Sequence, residues 1–459
     1  MREPSIKKSL FWCPECNVPL IAGTCGCGTR GVEFPLLKPY DVRPALEHDR
    51  TLLLNLLEER FGGGKLPKIV LFNKTGGTDR TDLVIANGVR FGWLNFSPVT
   101  RKYSFEPSFE ALSFILPDVS KNIVDITSYM RENKGRRLGG KKIEFSADCE
   151  NGCVIIRVGG KWGVGNYQDG FLKVRQFGVV EEKPLPDPDY SNVIRCNKKH
   201  LKNIERHAIR SIKIEVNQHS WKRPNANVSF SGGKDSTVVL ELAKRAGITD
   251  SYFVDTGMEF PQTIEFVESM NIGQKFQGGD FKSELAQRGI PKKDNRWCCE
   301  RLKLHPVSNW LNEEGGCVTV QGNRWYESFA RSGLPAAIEN PYNNKQINIS
   351  PIRSWRALEV FLYIWWRELP YNPLYDLGFE RVGCWMCPAM LESEAERVKE
   401  LLPEKYGEWM EYLRSCAEKN KFPKCYVDLG LWRWDELPPK MVELLDEYNL
   451  SKNQEKPTE

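Results

Sequence analysis

The sequence predicts an α/β protein built on a parallel sheet and preceded by a small cysteine-rich segment and a β-rich region. Three observations carry this expectation. The run NVSFSGGKDSTVVLELAKRAG, followed by SYFVDTG, reads as strand, glycine turn, helix and strand, which opens a parallel sheet with helices on both faces. From Ile69 to about Phe177, apolar and β-branched runs punctuated by glycine turns dominate. Four cysteines, Cys13, Cys16, Cys25 and Cys27, crowd the first thirty residues.

A chain of 459 residues exceeds one ordinary core, so roughly two to four domains are expected. The balance of 65 Lys+Arg against 60 Asp+Glu neither requires nor excludes a nucleic-acid partner. No apolar run has the length to span a bilayer, and the start MREPSIKKSLFWCPEC lacks the apolar core of a signal peptide; a cytoplasmic protein with no membrane partner is expected. In such a chain, 14 cysteines point to metal or redox chemistry rather than disulfides.

Taken in order, residues 1–40 read as a zinc ribbon or knuckle. Tetrahedral zinc takes four thiolates, and Gly23, Gly26 and Gly28 allow the tight turns that bring Cys13, Cys16, Cys25 and Cys27 together. The second pair is CxC, less usual than CxxC, and ordinary reduced thiols are the alternative. Residues 41–182 form the β-rich domain, with a helix at Asp49–Phe61 and a brief helical period near Phe109–Met130. Its glycine-punctuated strands and the Gly163-Val164-Gly165-Asn166-Tyr167 turn resemble a PUA-like RNA-binding domain; a generic β-barrel is the alternative.

Residues 183–224 comprise a stiff linker, KPLPDPD from Lys183 to Asp189, and a basic helix. Nine basic residues (Arg195, Lys198, Lys199, Lys202, Arg206, Arg210, Lys213, Lys222 and Arg223) stand against two acids, Glu205 and Glu215. Leu201, Ile204, Ala208 and Ile212 recur at helical spacing, so the outer face is cationic and suits phosphate contact, or is simply solvated. Residues 225–390 hold the parallel-sheet domain, and 391–459 a helical C-terminal region whose tail after Leu450 reads as disordered.

The loop Ser231, Gly232, Gly233, Lys234, Asp235 and Ser236 leaves a strand and opens a helix, so backbone N–H groups and the positive helix end converge on an anion. It is not the Walker sequence. SGGKDS resembles the PP-loop of the adenine nucleotide alpha hydrolase-like superfamily, whose members split ATP between its α and β phosphates; the resemblance implies that Lys234 is catalytic and that ATP is held with Mg2+.

Four further segments resemble the phosphoadenosine phosphosulfate (PAPS) and adenosine phosphosulfate (APS) reductases, in that family's order. They are Val254-Asp255-Thr256-Gly257 with Phe260-Pro261; Trp297-Cys298-Cys299 with Arg301 and Lys303; Gly322-Asn323-Arg324 with Glu327-Ser328 and Arg331; and SPIRSW leading to LPYNPLYDLGFERVGCWMC. The resemblance implies that Asp255 and Thr256 line the adenosine pocket and that Arg301, Arg324 and Arg331 approach an anionic substrate. It also implies that Cys298, Cys299, Cys384 and Cys387 hold a 4Fe-4S cluster. Four thiolates would equally accept zinc.

The chain departs from that family in lacking its C-terminal Glu-Cys-Gly-Leu-His motif. Cys416 lies within the helical pattern EWMEYLRSCAEKN, whereas Cys425, beside Lys424, reads as loop-borne and is the candidate nucleophile. The glycine loop, usually degenerate in the reductases, is intact. Two expectations follow. In the favoured one, the protein is an ATP-dependent RNA-modifying enzyme that adenylylates a base oxygen and transfers sulfur through the cluster, with tRNA-like RNA and a sulfur or electron donor protein as partners. In the other it reduces PAPS or APS to sulfite with a thiol cofactor. A binding protein with a relic pocket is disfavoured by the retention of Lys234 and the arginines.

Overall fold

A computed structural model describes residues 5–133, 140–181, 185–221, 225–328 and 331–454. At the N-terminus, Ser9–Cys13 pairs antiparallel with Val18–Leu20 on one side and Val32–Pro35 on the other. Five strands follow in sequential antiparallel order: Val42–Pro44, Leu71–Lys74, Thr81–Ala86, Val89–Ser97 and Lys102–Pro107. The remaining β-rich stretch forms a second five-stranded sheet, with Gly152–Val158, Lys161–Gln168 and Phe171–Gly178 at its centre. The two sheets share one core, because Leu53, Leu57 and Phe61 of the helix Glu47–Phe61 pack with Phe72 and Val84 of one sheet and Ile155 and Val164 of the other. The helical period near Phe109–Met130 resolves into two short helices, Leu112–Ile115 and Thr127–Glu132, with the strand Ile123–Asp125 between them.

The basic segment is a helix, Tyr190–His219, whose first turn is capped by the Asp189 side chain accepting from the Asn192 N–H. Val193, Asn197, Leu201, Glu205, Ala208 and Ile212 are buried along one stripe at steps of three and four, as an amphipathic helix requires. Arg195, Lys198, Lys199, Lys202, Arg206, Arg210 and Lys213 are all exposed. Lys183 of the linker, and the basic residues Lys222 and Arg223, lie outside the described residues.

The α/β domain has six strands: β1 (Asn225–Ser229), β2 (Ser251–Asp255), β3 (Gln274–Gln277), β4 (Cys317–Val320), β5 (Ala337–Glu339) and β6 (Gln346–Ile349). They lie in the order β3-β2-β1-β4-β6-β5, all parallel except β5. The chain order reverses between β1 and β4. In open α/β sheets that reversal opens a crevice at the carboxyl ends of the strands, where ligands bind. Val228, Phe253, Val318 and Ile347 of the strands pack against Val238, Val239 and Leu242 of the helix Lys234–Ala246. The C-terminal region is helical over Glu392–Leu401, Pro403–Lys419 and Pro439–Gln454. The tail read as disordered after Leu450 therefore continues as helix to Gln454, and residues 455–459 lie outside the described residues.

A buried ionic network joins the β-rich region to the α/β domain. Arg80, 2% exposed, places Nη2 2.8 Å from Asp49 Oδ1 and Nε 2.9 Å from Asp82 Oδ2 and 3.3 Å from Glu380 Oε1. Arg43 meets Asp49 at 2.6 Å, and Lys74 meets Glu380 at 2.8 Å. Burial acts to raise the Glu380 carboxyl, but Lys74, Arg43 and Arg80 overcome it and hold the group ionised. Removing one partner from such a network would leave an uncompensated buried charge, at a cost of about 3–5 kcal/mol.

Candidate nucleotide and metal sites

The glycine loop is fixed by its own side chains. Ser236 Oγ donates to the Gly233 carbonyl at 2.7 Å and accepts the Ser231 N–H at 3.2 Å. Gly232 has φ +72°, and a Cβ there would also meet Thr263 Cγ2 at 3.0 Å, so only glycine fits without strain. Gly322, just past the carboxyl end of β4, lets that segment approach the first turn of the helix Lys234–Ala246: a Cβ would stand 2.8 Å from the Asp235 backbone. From the other side, Asn372 Nδ2 donates to the Gly232 carbonyl at 3.2 Å and to Thr263 Oγ1 at 3.0 Å.

The loop opens into a cleft of about 360 Å³. Ser231, Gly233, Lys234, Asp235 and Ser236 line it, together with Arg324 and Arg331. Lys234 is buried, with Nζ 3.0 Å from Asp235 Oδ2 and 5.2 Å from the Tyr375 ring centroid. Arg324 is also buried; its Nη1 lies 3.1 Å from both Asp41 oxygens, and its Nε stands 2.6 Å from Asp235 Oδ1 without hydrogen-bond alignment, so that contact is electrostatic. Burial acts to raise the Asp235 carboxyl, but Arg324 and Lys234 outweigh it and hold the group below its ordinary range.

The β-rich region supplies part of the same cleft through Asp41, Arg43, Phe72 and Lys74. Sequence reasoning missed these four, and also Tyr375 and Arg381, which line it from the segment before the CxxC pair. That segment had been singled out as a family match without roles for its members.

Other expected residues lie elsewhere. Arg301 does not line the cleft; its Nε pairs with Glu284 at 3.2 Å. Asp255 ends β2 and Thr256 follows it, both outside the cleft lining, and Asp255 accepts the Gly257 N–H at 2.8 Å. Thr256 Oγ1 donates to Glu259 at 3.1 Å and lies 3.4 Å from Cys384 Sγ, so it belongs to the surroundings of the cysteines. Cys425 is not loop-borne as expected. It lies in the short helix Cys425–Asp428, 8% exposed, among Leu429, Leu431, Met441 and Leu444, and burial pushes its thiol up. A nucleophilic thiol needs the opposite environment.

The two cysteine quartets differ in spacing. Cys13 Sγ stands 3.7 Å from Cys27 Sγ and Cys16 Sγ 3.9 Å from Cys25 Sγ, and all four sulfurs lie within 4.8 Å of one another. A tetrahedron with Zn–S bonds of about 2.3 Å has edges of about 3.8 Å, so this quartet fits one metal ion. This cysteine-bearing segment is seated on the long helix, where Gly26 N–H donates to the Cys196 carbonyl at 2.9 Å.

Cys298 and Cys299 occupy the helix Trp297–Cys299, and Cys384 and Cys387 a turn anchored by Trp385 N–H donating to the Met258 carbonyl at 2.9 Å. Among the described residues these four do not gather within single-ion spacing. A hydrogen bond with Cys298 draws the Cys299 thiol down to about 6, against its burial. Burial lifts Cys384 to about 12 although Lys303 is close by. Lys303 Nζ in turn pairs with Glu259 at 3.2 Å.

Residues 225–390 match the phosphoadenosine phosphosulfate reductase domain. Over 93% of this chain and 96% of its own length, uncharacterized protein MJ0066 of Methanocaldococcus jannaschii is 33% identical. The chain belongs to the family of that archaeal protein. Within the reductase domain it is similar to adenosine 5'-phosphosulfate reductase of Deinococcus radiodurans, 28% identical over 33% of this chain and 62% of the reductase. The phosphoadenylyl-sulfate reductase structure from Candida auris overlaps 42% of this chain and 97% of its own, at 20% identity and a TM-score of 0.33. The reductase domain carries both the glycine loop and the second cysteine quartet, while the first quartet and the Asp41–Lys74 wall lie outside it. Among the described residues, no helix is long and apolar enough to cross a membrane.

Proposed function

We propose that the protein is an ATP-dependent PP-loop enzyme that modifies a nucleoside in folded RNA. The observation that carries this reading is the composite cleft: the β-rich region lines it beside an intact glycine loop, as expected of a recruiting region that works with the nucleotide site. Burial of Cys425 points the same way, because it withdraws the candidate thiol of a sulfonucleotide reductase.

In this reading the first-turn N–H groups of the helix Lys234–Ala246 and the Ser231 and Ser236 hydroxyls take phosphate oxygens. Lys234, held ready by Asp235, turns to the charge that builds on the leaving pyrophosphate, with Mg2+ sharing the phosphate charge. The exposed cations of the helix Tyr190–His219 contact RNA phosphates, since both acids of that helix are engaged elsewhere, Glu205 with Arg367 at 2.5 Å and Glu215 beside His219 at 3.7 Å. Cys13, Cys16, Cys25 and Cys27 hold zinc. Cys298, Cys299, Cys384 and Cys387 are assigned to a 4Fe-4S cluster, which ties each thiolate to its own iron and so accepts a spacing too wide for one ion; when bound it supplies redox or sulfur-transfer chemistry.

The test is pyrophosphate release from ATP in the presence of cellular RNA, by wild type and Lys234→Ala. Loss of release with nucleotide affinity largely kept supports the reading. Equal release by both proteins rejects Lys234 as the catalytic residue, and no release by wild type rejects the reading. Sulfite release from PAPS or APS would establish the reductase reading, which the family match favours.

A further inference from the structure

We infer that Arg381 is a second anion-binding residue of the nucleotide cleft, taking with Arg331 a tetrahedral oxyanion of the substrate that the glycine loop does not hold. The inference rests on the proposed nucleotide site and names what lies beyond the first phosphate: the polyphosphate chain of a nucleoside triphosphate, or the sulfate of a sulfonucleotide.

Six cations line the cleft: Arg43, Lys74, Lys234, Arg324, Arg331 and Arg381. Five are already paired. Arg43 has Asp49 at 2.6 Å, Lys74 has Glu380 at 2.8 Å, Lys234 has Asp235 at 3.0 Å, Arg324 has Asp41 at 3.1 Å, and Arg331 touches Glu327. Arg381 is exposed and forms no ion pair among the described residues, its charge reaching the Glu394 carboxyl only at longer range, so its guanidinium stands open to a ligand at the rim of the cleft. Guanidinium forks suit the paired oxygens of phosphate and sulfate.

Its neighbour shows the effect of that charge. The Arg331 guanidinium is held below its ordinary range by burial and then by repulsion from Arg381. Two like charges facing one cleft are unfavourable without an anion between them, and an oxyanion bridging both reverses the sign. The position is also rigid. On one side Glu380 is locked into the buried ionic network, and on the other Trp385 N–H is bonded to the Met258 carbonyl at 2.9 Å. An oxyanion held there meets a prepositioned backbone, so the ordering cost is confined to the exposed Arg381 side chain. Three residues further on is Cys384, so the Cα of Arg381 and that of the cysteine are at most about 11 Å apart.

The experiment measures binding of ATP, APS and AMP by calorimetry to the full chain, as wild type, Arg381→Ala and Arg381→Lys. Arg381→Ala should weaken ATP or APS about tenfold or more and leave AMP unchanged, with Arg381→Lys intermediate. The melting temperature should not move, because no ion pair is lost. Equal weakening of all three nucleotides, or of none, overturns the inference. So does a wild type that prefers neither ATP nor APS over AMP, since a second anion position must create a preference for at least one of them. A wild type that binds APS but not ATP removes the ATP-dependent reading alone; the contrast between APS and AMP then decides the role of Arg381.

Discussion

The hydroxyl of Tyr375 accepts the backbone N–H of Lys234 at 2.9 Å, so a tyrosine from the segment before the CxxC pair occupies the donor that a bound phosphate would use. Tyr375→Phe keeps the ring and removes the acceptor. A buried N–H without a partner costs about 1–3 kcal/mol, and the variant should lose stability in that range in urea. Saturating nucleotide should reduce the loss, because a phosphate oxygen then takes the N–H. A loss of the same size with and without nucleotide would show that this N–H does not face the ligand.

Asp41 holds the buried Arg324 with both oxygens at 3.1 Å and accepts the Ala357 N–H at 2.7 Å. Asp41→Ala should therefore cost about 3 kcal/mol by stranding a buried guanidinium. Asp41→Asn keeps an acceptor for Ala357 and should cost less. Denaturation midpoints of the two variants check the order.

Acid should weaken the protein in two stages. Burial, with Arg397, pulls His48 down to about 4 from 6.5. The Asp49 carboxyl, which burial alone would raise, is held at about 2 instead of 3.8 by Arg43 and Arg80. In both groups the folded value is the lower one, so the unfolded chain binds more protons and stability falls with pH. The contribution of His48 is complete above pH 6.5 and lost toward 4; that of Asp49, about 2 kcal/mol, is complete above 3.8 and lost toward 2. Urea midpoints across this range should show both limbs, and His48→Asn should flatten only the upper one.

Metal content separates the two quartets. Anaerobically purified protein should carry one zinc and about four irons per chain. Cys16→Ser should lose the zinc and expose the N-terminal segment to proteolysis while the iron stays; Cys387→Ser should lose the iron and keep the zinc. Two zincs and no iron in colourless protein would remove the cluster.

Local patterns were legible, and long-range ones were not. SGGKDS announced its strand, turn and helix because glycine, backbone N–H groups and apolar period all lie within twenty residues. The stripe of Leu201, Ala208 and Ile212 marked the buried face of the long helix for the same reason. Cys425 misled because Pro423 and Lys424 suggest a loop, while its apolar cover comes from Leu429, Leu431, Met441 and Leu444 further on. Asp41, Arg43 and Lys74 are more than 150 residues from the loop they face, and no spacing within their own strands signals it.

Glu380 lies inside the matched reductase segment, but the cations that keep it ionised, Lys74, Arg43 and Arg80, all come from before it. An excised fragment beginning at Asn225 would present an orphan carboxylate in a newly opened face and lose four residues of its cleft. Transplanting the loop and cysteines into another scaffold would fail for the same reason. For heritable change, the β-rich region is bound to the nucleotide site: drift in either half is constrained by charges carried in the other, and the chain must vary as one piece.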